Sequence, residues 1–453
     1  MITSNARAAL WLRWICPWPT TFLIPLWTPP PCRPLRPSRP RPSAPTCVEK
    51  MFKSSSILVG LEIGTTKVVA VVGELSPTGA LSLIGIGQCA SRGVRKGEIV
   101  DPVQAAEDVR AAVAEAEKNA DVEISSVYLG VTGGHIQGLT NRGVHQIVSV
   151  DRDITEEDVQ QVIQNARAVV IPPANTIIHT MRQDFMVDGK PGITNPVRML
   201  GSRLEVDVHV VHGNDNRIKT AMRVVQGLQL RLDGVAFNGL ASALAVLTHE
   251  DKEMGSLVID LGAGVTEYVV YAGGLFKHTG VLAVGGDHIS NDLAIGLKVP
   301  LGRAEELKIR YGSALTQPEL KGQTVNLENE HGLHVRTINL EHLNRIMALR
   351  VEEILQLIEA DLAQSGWLDH IRRGVFLVGG GARIPGIQQL AEQIFQLPVF
   401  LGRNGSINSI QSTQDQPEFA TAIGLVKYGS IQQKRQTGWL ERFRDTLSGL
   451  IPH

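Results

Sequence analysis

The 453-residue sequence holds only four cysteines, and three of them fall within its first fifty residues. Cys89, alone in residues 51–453, can make neither an intrachain disulfide nor a zinc cluster, which excludes a stapled secreted domain and fits the reducing cytoplasm. An excess of one charge is also lacking: a formal net charge of -1 excludes a polycation that coats nucleic acid, and no nucleic-acid partner is expected. No run of about twenty apolar residues is free of charge and proline, so no spanning helix is expected. What remains, 43% hydrophobic and 20% charged residues with 45 glycines, is the composition of a soluble globular protein too long for one ordinary domain.

Residues 1–50 stand apart. They carry 11 of the 23 prolines, 4 of the 6 tryptophans and a charge of +6, leaving -7 for residues 51–453. Arg13, Pro17, Pro19 and Pro25 interrupt the stretch nearest to a signal-peptide core, and no small-residue cleavage site follows it. The Pro-, Arg- and Ser-rich text from Pro29 to Pro45 cannot bury a core. This leader is expected to be disordered, or to be read from a start placed too early, since ordinary composition begins at Met51.

From residue 56 the pattern alternates between strand and helix periods. Ile57–Ile63 and Val68–Val72 predict a hairpin around Gly64-Thr65-Thr66-Lys67, and Leu81–Gly87 a third strand. Asp101 caps a helix with Pro102 at its first position. Strands followed by a long amphipathic helix indicate an α/β protein. Residues 132–212 read as a compact insert: a helix behind a Thr155/Asp158 capping box, flanked by strands at His145–Val150, Ile177–Phe185 and Leu204–Val211. Within it, His179, His209 and His212 show no ligand-like grouping and read as structural.

An internal echo is the most informative feature. Val59-Gly60-Leu61-Glu62-Ile63-Gly64-Thr65-Thr66-Lys67 has a counterpart 198 residues later, where Leu257-Val258-Ile259-Asp260-Leu261-Gly262-Ala263-Gly264-Val265-Thr266 repeats strand, acid and glycine turn. Two such hairpins imply two related half-domains facing a cleft. Glycine lets a turn approach a ligand, and successive N–H groups form an anion nest. Thr65, Thr66 and Thr266 add hydroxyl donors, and Lys67 adds a point charge. Glu62 and Asp260 end the two first strands, where acids can hold waters around Mg²⁺. A third turn, Gly379-Gly380-Gly381 with Ala382-Arg383, follows the buried run Val375–Val378 and opens a helix over Ile387–Phe395.

Two phosphate hairpins followed by a triple-glycine turn resemble the actin/Hsp70/sugar-kinase ATPase fold, with two ribonuclease H-like half-domains. Within it, residues 51–453 resemble the FtsA cell-division family in Val59–Thr65, Ile124–Tyr128, Gly239–Ser242, Gly285–Asp287, Ser290–Asp292 and Ala304–Lys308. The resemblance implies ATP and Mg²⁺ as cofactors, with phosphates at Gly64–Lys67 and at Gly262, Ala263, Gly264 and Thr266. It implies adenosine at Gly379, Gly380 and Gly381 with Arg383 near the adenine. Glu305 and Lys308 resemble a ribose-contacting pair, although i,i+3 spacing suits an exposed ion pair equally well.

The domains implied are subdomain 1A (51–131 and 213–250), insert 1C (132–212), 2A (251–289 and 374–428) and 2B (290–373). The protein would tether FtsZ to the cytoplasmic face of the membrane at the septum, self-polymerise, and meet other division proteins through 1C. The FtsZ C-terminal tail would bind 2B, where Lys308, Arg310, Arg345 and Arg350 could pair with acidic residues. A pilus-assembly ATPase and a small-molecule kinase are the alternatives on this fold.

Two departures from the relatives bear on turnover. Glu62 replaces the usual Asp of the first turn, and Asn238-Gly239-Leu240 stands where relatives position the attacking water, with no convincing base. Binding with at most weak hydrolysis is expected. At the C-terminus, residues 429–438 read as a polar linker. Trp439, Leu440, Phe443, Leu447, Leu450 and Ile451 then form one apolar stripe beside Arg442 and Arg444. An interfacial membrane helix over 439–453 is expected, the alternative being docking on the protein's own surface.

Overall fold

The computed structural model describes residues 56–149, 151–316, 321–328, 334–404 and 415–448, and the final helix in side-chain detail as far as Lys434. The leader 1–50 lies outside the described residues.

The first hairpin forms as its alternation predicts. Strand β1 (Ser56–Ile63) pairs antiparallel with β2 (Lys67–Leu75), with Ile63 opposite Val68, and β3 (Leu81–Ala90) follows on the far side of β2. A two-residue ladder, β4 (Val94–Arg95) with β5 (Glu98–Ile99), leads into α1 (Pro102–Ala120). The Asp101 side chain accepts the Val103 and Gln104 N–H groups, which is why α1 starts there. Strand β6 (Ser126–Val131) then runs parallel to β1.

The insert begins with β7 (Gln137–Gln146), then α2 (Glu156–Arg167), β8 (Asn175–Val187), β9 (Lys190–Ile193) and β10 (Arg203–Asn214), in the sheet order β7-β10-β8-β9. Thr155 and Asp158 close a reciprocal capping box at the start of α2. The strand expected at 145–150 lies earlier. Its solvent-facing polar residues, such as Arg142 paired with Asp207, masked the alternation.

The chain returns through α3 (Asp215–Gly227) to β11 (Arg231–Phe237), parallel to β6, and then α4 (Asn238–Val246) and α5 (His249–Met254). The second hairpin is β12 (Ser256–Leu261) with β13 (Thr266–Ala272), flanked by β14 (Leu275–Leu282). Helices α6 (Gly286–Leu297) and α7 (Leu301–Tyr311), the ladder β15 (Thr324–Glu328) with β16 (His334–Asn339), and α8 (Leu340–Ser365) precede β17 (Gly374–Val378). After β17 come α9 (Ile387–Phe395), β18 (Val399–Leu401) and α10 (Ala420–Ser448).

The two five-stranded sheets are copies. One has the order β3-β2-β1-β6-β11 and the other β14-β13-β12-β17-β18, each antiparallel on the hairpin side and parallel beyond it. The internal echo in the sequence is therefore a repeat of topology.

Helix α10 departs from expectation. Residues 430–438, read as a linker, continue the helix because Gln, Lys and Arg are good helix formers and Gly438 alone does not stop it. Its first turns are core, with Ala422, Ile423, Leu425 and Val426 buried against α4 and β1. Close approach requires Gly60 and Gly424, since a Cβ on either would collide with the Ala422 or Ala241 carbonyl.

Buried polar side chains dock the insert. His179 Nε2 accepts the Phe237 N–H at 2.9 Å, His209 bridges Thr140 and Thr279 at 3.0 and 3.1 Å, and Gln183 Nε2 donates to the Phe276 carbonyl at 2.7 Å. Burial lowers the pKa of His179 and of His209 from 6.5 to about 4. The folded state thus favours the neutral rings. Their stabilisation is complete above about pH 6.5 and is lost as pH falls toward 4, by up to about 1.4 kcal/mol per pH unit for each ring. The urea midpoint is expected to fall between about pH 7.5 and about pH 5, with the slope flattened by His179→Asn with His209→Asn. An equal slope in the double variant would assign the loss to other groups.

Candidate functional site

The two hairpin turns close in the same way. Gly64 N–H donates to the Lys67 carbonyl and Gly262 N–H to the Val265 carbonyl, both at 3.0 Å. With the turn after β17 they wall a cavity of about 640 Å³. All the cofactor-binding residues expected from the sequence line it except Thr266. That side chain is fully buried and donates to the Val284 carbonyl at 2.8 Å, because strand alternation turns it away from the cavity.

The three glycines of the last turn differ in what they face. A Cβ on Gly379, where φ is +81°, would collide with Asp260, and one on Gly381 would collide with Leu261. Nothing lies within 4 Å of a Cβ on Gly380, which is the glycine open to the cavity.

Asp260 sits at the floor. Its Oδ2 accepts from Ser242 Oγ of α4 at 2.5 Å and from Thr421 Oγ1 of α10 at 2.8 Å. Glu62 lies half-buried beside it, its Oε2 buried without a partner, and desolvation and the Asp260 charge raise its pKa to about 8. Lys67 is half-buried, and its Nζ lies 4.4 Å from the centre of the Phe419 ring. Desolvation lowers its pKa against the pull of Glu62.

Elsewhere several of the expected side chains already have partners in the protein. Thr65 Oγ1 accepts the Gly97 N–H at 3.0 Å, so the tip of the β4–β5 ladder is tied to the first turn. Glu305 and Lys308 form an ion pair of 2.6 Å, and Ser290 bonds to both. Arg383 lies at the rim, bonded to Gln416 at 3.0 Å and Glu418 at 2.5 Å. Among the described residues no group of three or more metal-binding side chains gathers as a ligand set.

Sequence reading missed Glu267, which stands opposite Asp260 in the hairpin register and lines the cavity. Burial, Asp260 and Glu62 push its pKa well up, while the Thr132 hydroxyl opposes at 2.5 Å. Its cross-strand partnership with Asp260 was the available signal. The floor thus combines three acids with one lysine, beneath backbone turns shaped for an anion.

Two copies of one sheet facing a glycine-lined cleft define an actin-like ATPase fold. A solved chain of the PilM–PilN type IV pilus biogenesis complex superposes with a TM-score of 0.57 at 17% identity, over 82% of this chain and 98% of that one. MreB5 of Spiroplasma citri bound to ADP gives 0.51 at 15% identity, over 84% and 98%. A family model described as cell division protein FtsA matches residues 257–424, and one described as the SHS2 domain inserted in FTSA matches residues 133–212. Cell division protein FtsA of Pseudomonas aeruginosa is 35% identical over 381 residues, covering 84% of this chain and 91% of that protein. The Escherichia coli K12 protein of the same name is 34% identical over 410 residues, covering 86% and 97%. The chain belongs to the FtsA family of cell-division proteins.

Proposed function

We propose that the chain binds ATP with Mg²⁺ in this cleft as a conformational ligand and tethers FtsZ to the cytoplasmic face of the membrane at the septum. The carrying observation is the convergence of three glycine turns on one cavity whose floor holds an unpartnered carboxyl oxygen on Glu62. Desolvation raises the pKa of Glu62, Asp260 and Glu267, so a hydrated divalent cation bound here would displace protons from the floor and be held by the carboxylates it frees. Glu62 and Asp260 would hold it through water. Such a cation, when bound, neutralises phosphate charge. The turns Gly64–Lys67 and Gly262–Gly264 would then supply N–H donors, and Gly380 the bare surface for adenosine.

Asp260→Ala and Gly380→Asp should each weaken ATP binding at least about tenfold by calorimetry, the first by removing the floor acid, the second by filling the open side of the turn. Unchanged affinity in both folded variants would remove the nucleotide reading.

No described helix is long and apolar enough to cross a membrane. Helix α10 runs to Ser448 and so carries Trp439, Leu440, Phe443 and Leu447, whose side chains, like Leu450 and Ile451 altogether, lie outside the described detail. The stripe supports an interfacial anchor. Trp439→Glu with Phe443→Glu should release the protein from anionic vesicles, whereas Arg442→Ala with Arg444→Ala should cost only about 1 kcal/mol per charge. Sedimentation of the Glu pair with vesicles would contradict the anchor.

Other division proteins would meet the insert, and copies of the chain would polymerise. For the FtsZ tail, two of the four basic residues expected to be available are occupied. Lys308 pairs with Glu305, and Arg350 with Asp292 at 2.5 Å and with Glu353. Arg310 and Arg345 are exposed. Charge reversal at both should weaken binding of an acidic FtsZ tail peptide about tenfold, by roughly 1 kcal/mol or less from each exposed pair. Undiminished affinity would move the tail site elsewhere.

A further inference from the structure

Between β3 and α1 the chain makes a small ladder whose tip reaches the second half. Strands β4 and β5 are joined by Lys96 and Gly97 alone, both left-handed, with φ of +50° and +74°. In such a two-residue turn asparagine or glycine is the relaxed choice at the first position, and lysine is strained. The root of the ladder is fixed in the first half. Arg92 donates to the buried Asp108 of α1 from Nε at 2.8 Å and from Nη2 at 2.7 Å, and Glu98 pairs with Arg217 of α3.

The tip is seated on both hairpin turns of the cleft. The Gly97 N–H donates to Thr65 Oγ1 at 3.0 Å, and Gly97 lines the cavity. A Cβ on Gly264 would lie 2.5 Å from Thr65 Oγ1 and 2.6 Å from the Lys96 Cα. The second turn therefore meets the first turn and the tip at one point, and only a glycine permits it. Beyond that point Arg95 is within electrostatic reach of Asp287, and Lys96 of His288, at the start of α6 in the second half. Both cations are exposed, and the neighbouring Glu98 is taken by Arg217 and does not neutralise them.

Packing explains the seat but not the side chains. The contacts with Thr65 and Gly264 use the backbone of residues 96 and 97, which Asn-Gly would supply without strain. Two adjacent cations beside two anion-shaped turns add a field that holds a negative ligand in place. Thr65 Oγ1 accepts from the tip, which leaves its hydrogen to donate. A phosphate oxygen that takes this hydrogen makes Thr65 a better acceptor, so phosphate and tip strengthen each other.

We propose that the β4–β5 tip is a latch that closes over the phosphate end of the cleft when a nucleoside triphosphate is bound, and that it sets how long the nucleotide stays. This rests on the nucleotide reading above. With adenosine against Gly380, the phosphate farthest from the base is the one that reaches Thr65 and the tip. A triphosphate engages the latch, and a diphosphate falls short of it. Release then waits for the tip to lift from Gly264 and for Arg95 and Lys96 to part from α6.

The test uses the full chain with Mg²⁺ and fluorescent analogues of ATP and ADP, chased with unlabelled nucleotide in a stopped-flow instrument. Arg95→Ser with Lys96→Asn keeps the left-handed turn and removes its charge. That variant should release the ATP analogue about tenfold faster than the parent, and the ADP analogue within about threefold of it. Amides at 94–99 should exchange more slowly with ATP than with ADP in the parent, and the variant should lose that difference. Arg95→Asp alone should speed ATP release, and adding Asp287→Arg should bring it back to within about threefold of the parent, a rescue that a merely structural tip would not give. The inference is overturned if the folded variant releases ATP at the parent rate, or if ATP and ADP release quicken alike. It is overturned equally if amides 94–99 exchange alike with either nucleotide, or if the charge swap restores nothing. The nucleotide reading survives each of these results. If the parent binds no nucleotide at all, that reading fails and takes this one with it.

Discussion

One carboxylate joins the two halves of this protein. Asp260 ends the central strand of the second sheet, yet its Oδ2 is held by Ser242 and Thr421, which belong to the helices packed on the first sheet. Those two hydroxyls also bond each other at 2.9 Å, so the clasp is a closed, buried network. Its geometry depends on α10 lying flush against β1 and α4, and that contact needs the bare backbone of Gly60 and Gly424. Whatever moves Asp260 must therefore move α4, α10 or both.

Charge makes the same floor responsive. Glu62 and Asp260, half-buried, and Glu267, fully buried, share the floor with Lys67. Desolvation raises the pKa of all three acids, and the neighbouring carboxyls add to the rise in Glu62 and Glu267. A cation bound there would lower all three, so cation binding and proton release at the floor are linked. Helix α10 begins at this floor and continues without a break toward the apolar C-terminal stripe. The chain that closes the cleft is the chain that carries the stripe.

Much of this was legible in the sequence, and the reasons are local. The hairpins around Gly64 and Gly262 combine period-two apolar runs with a glycine turn, and the capping box of Thr155 and Asp158 is spelled out over four residues. What escaped reading depends on direction or distance. Thr266 looks like Thr65 on paper, but it lies one place into a strand and faces Val284. Glu267 read as an ordinary strand residue because its value comes from Thr132, 135 positions away. The polar run 430–438 has the composition of a linker and of a helix alike, and the helix nucleated in the core decides between them. The docking of the insert through His179, Gln183 and His209 is entirely long-range.

The central claim is that one ligand engages three separate turns and the clasp beneath them. Amide hydrogen exchange measured with and without Mg²⁺ and ATP tests it most directly. Protection should rise together at 64–67, 262–266 and 379–381, and along α10 from residue 420 to 426. Exchange that is unchanged, or that slows at one turn while the others and α10 stay as before, would contradict a shared site between the two halves.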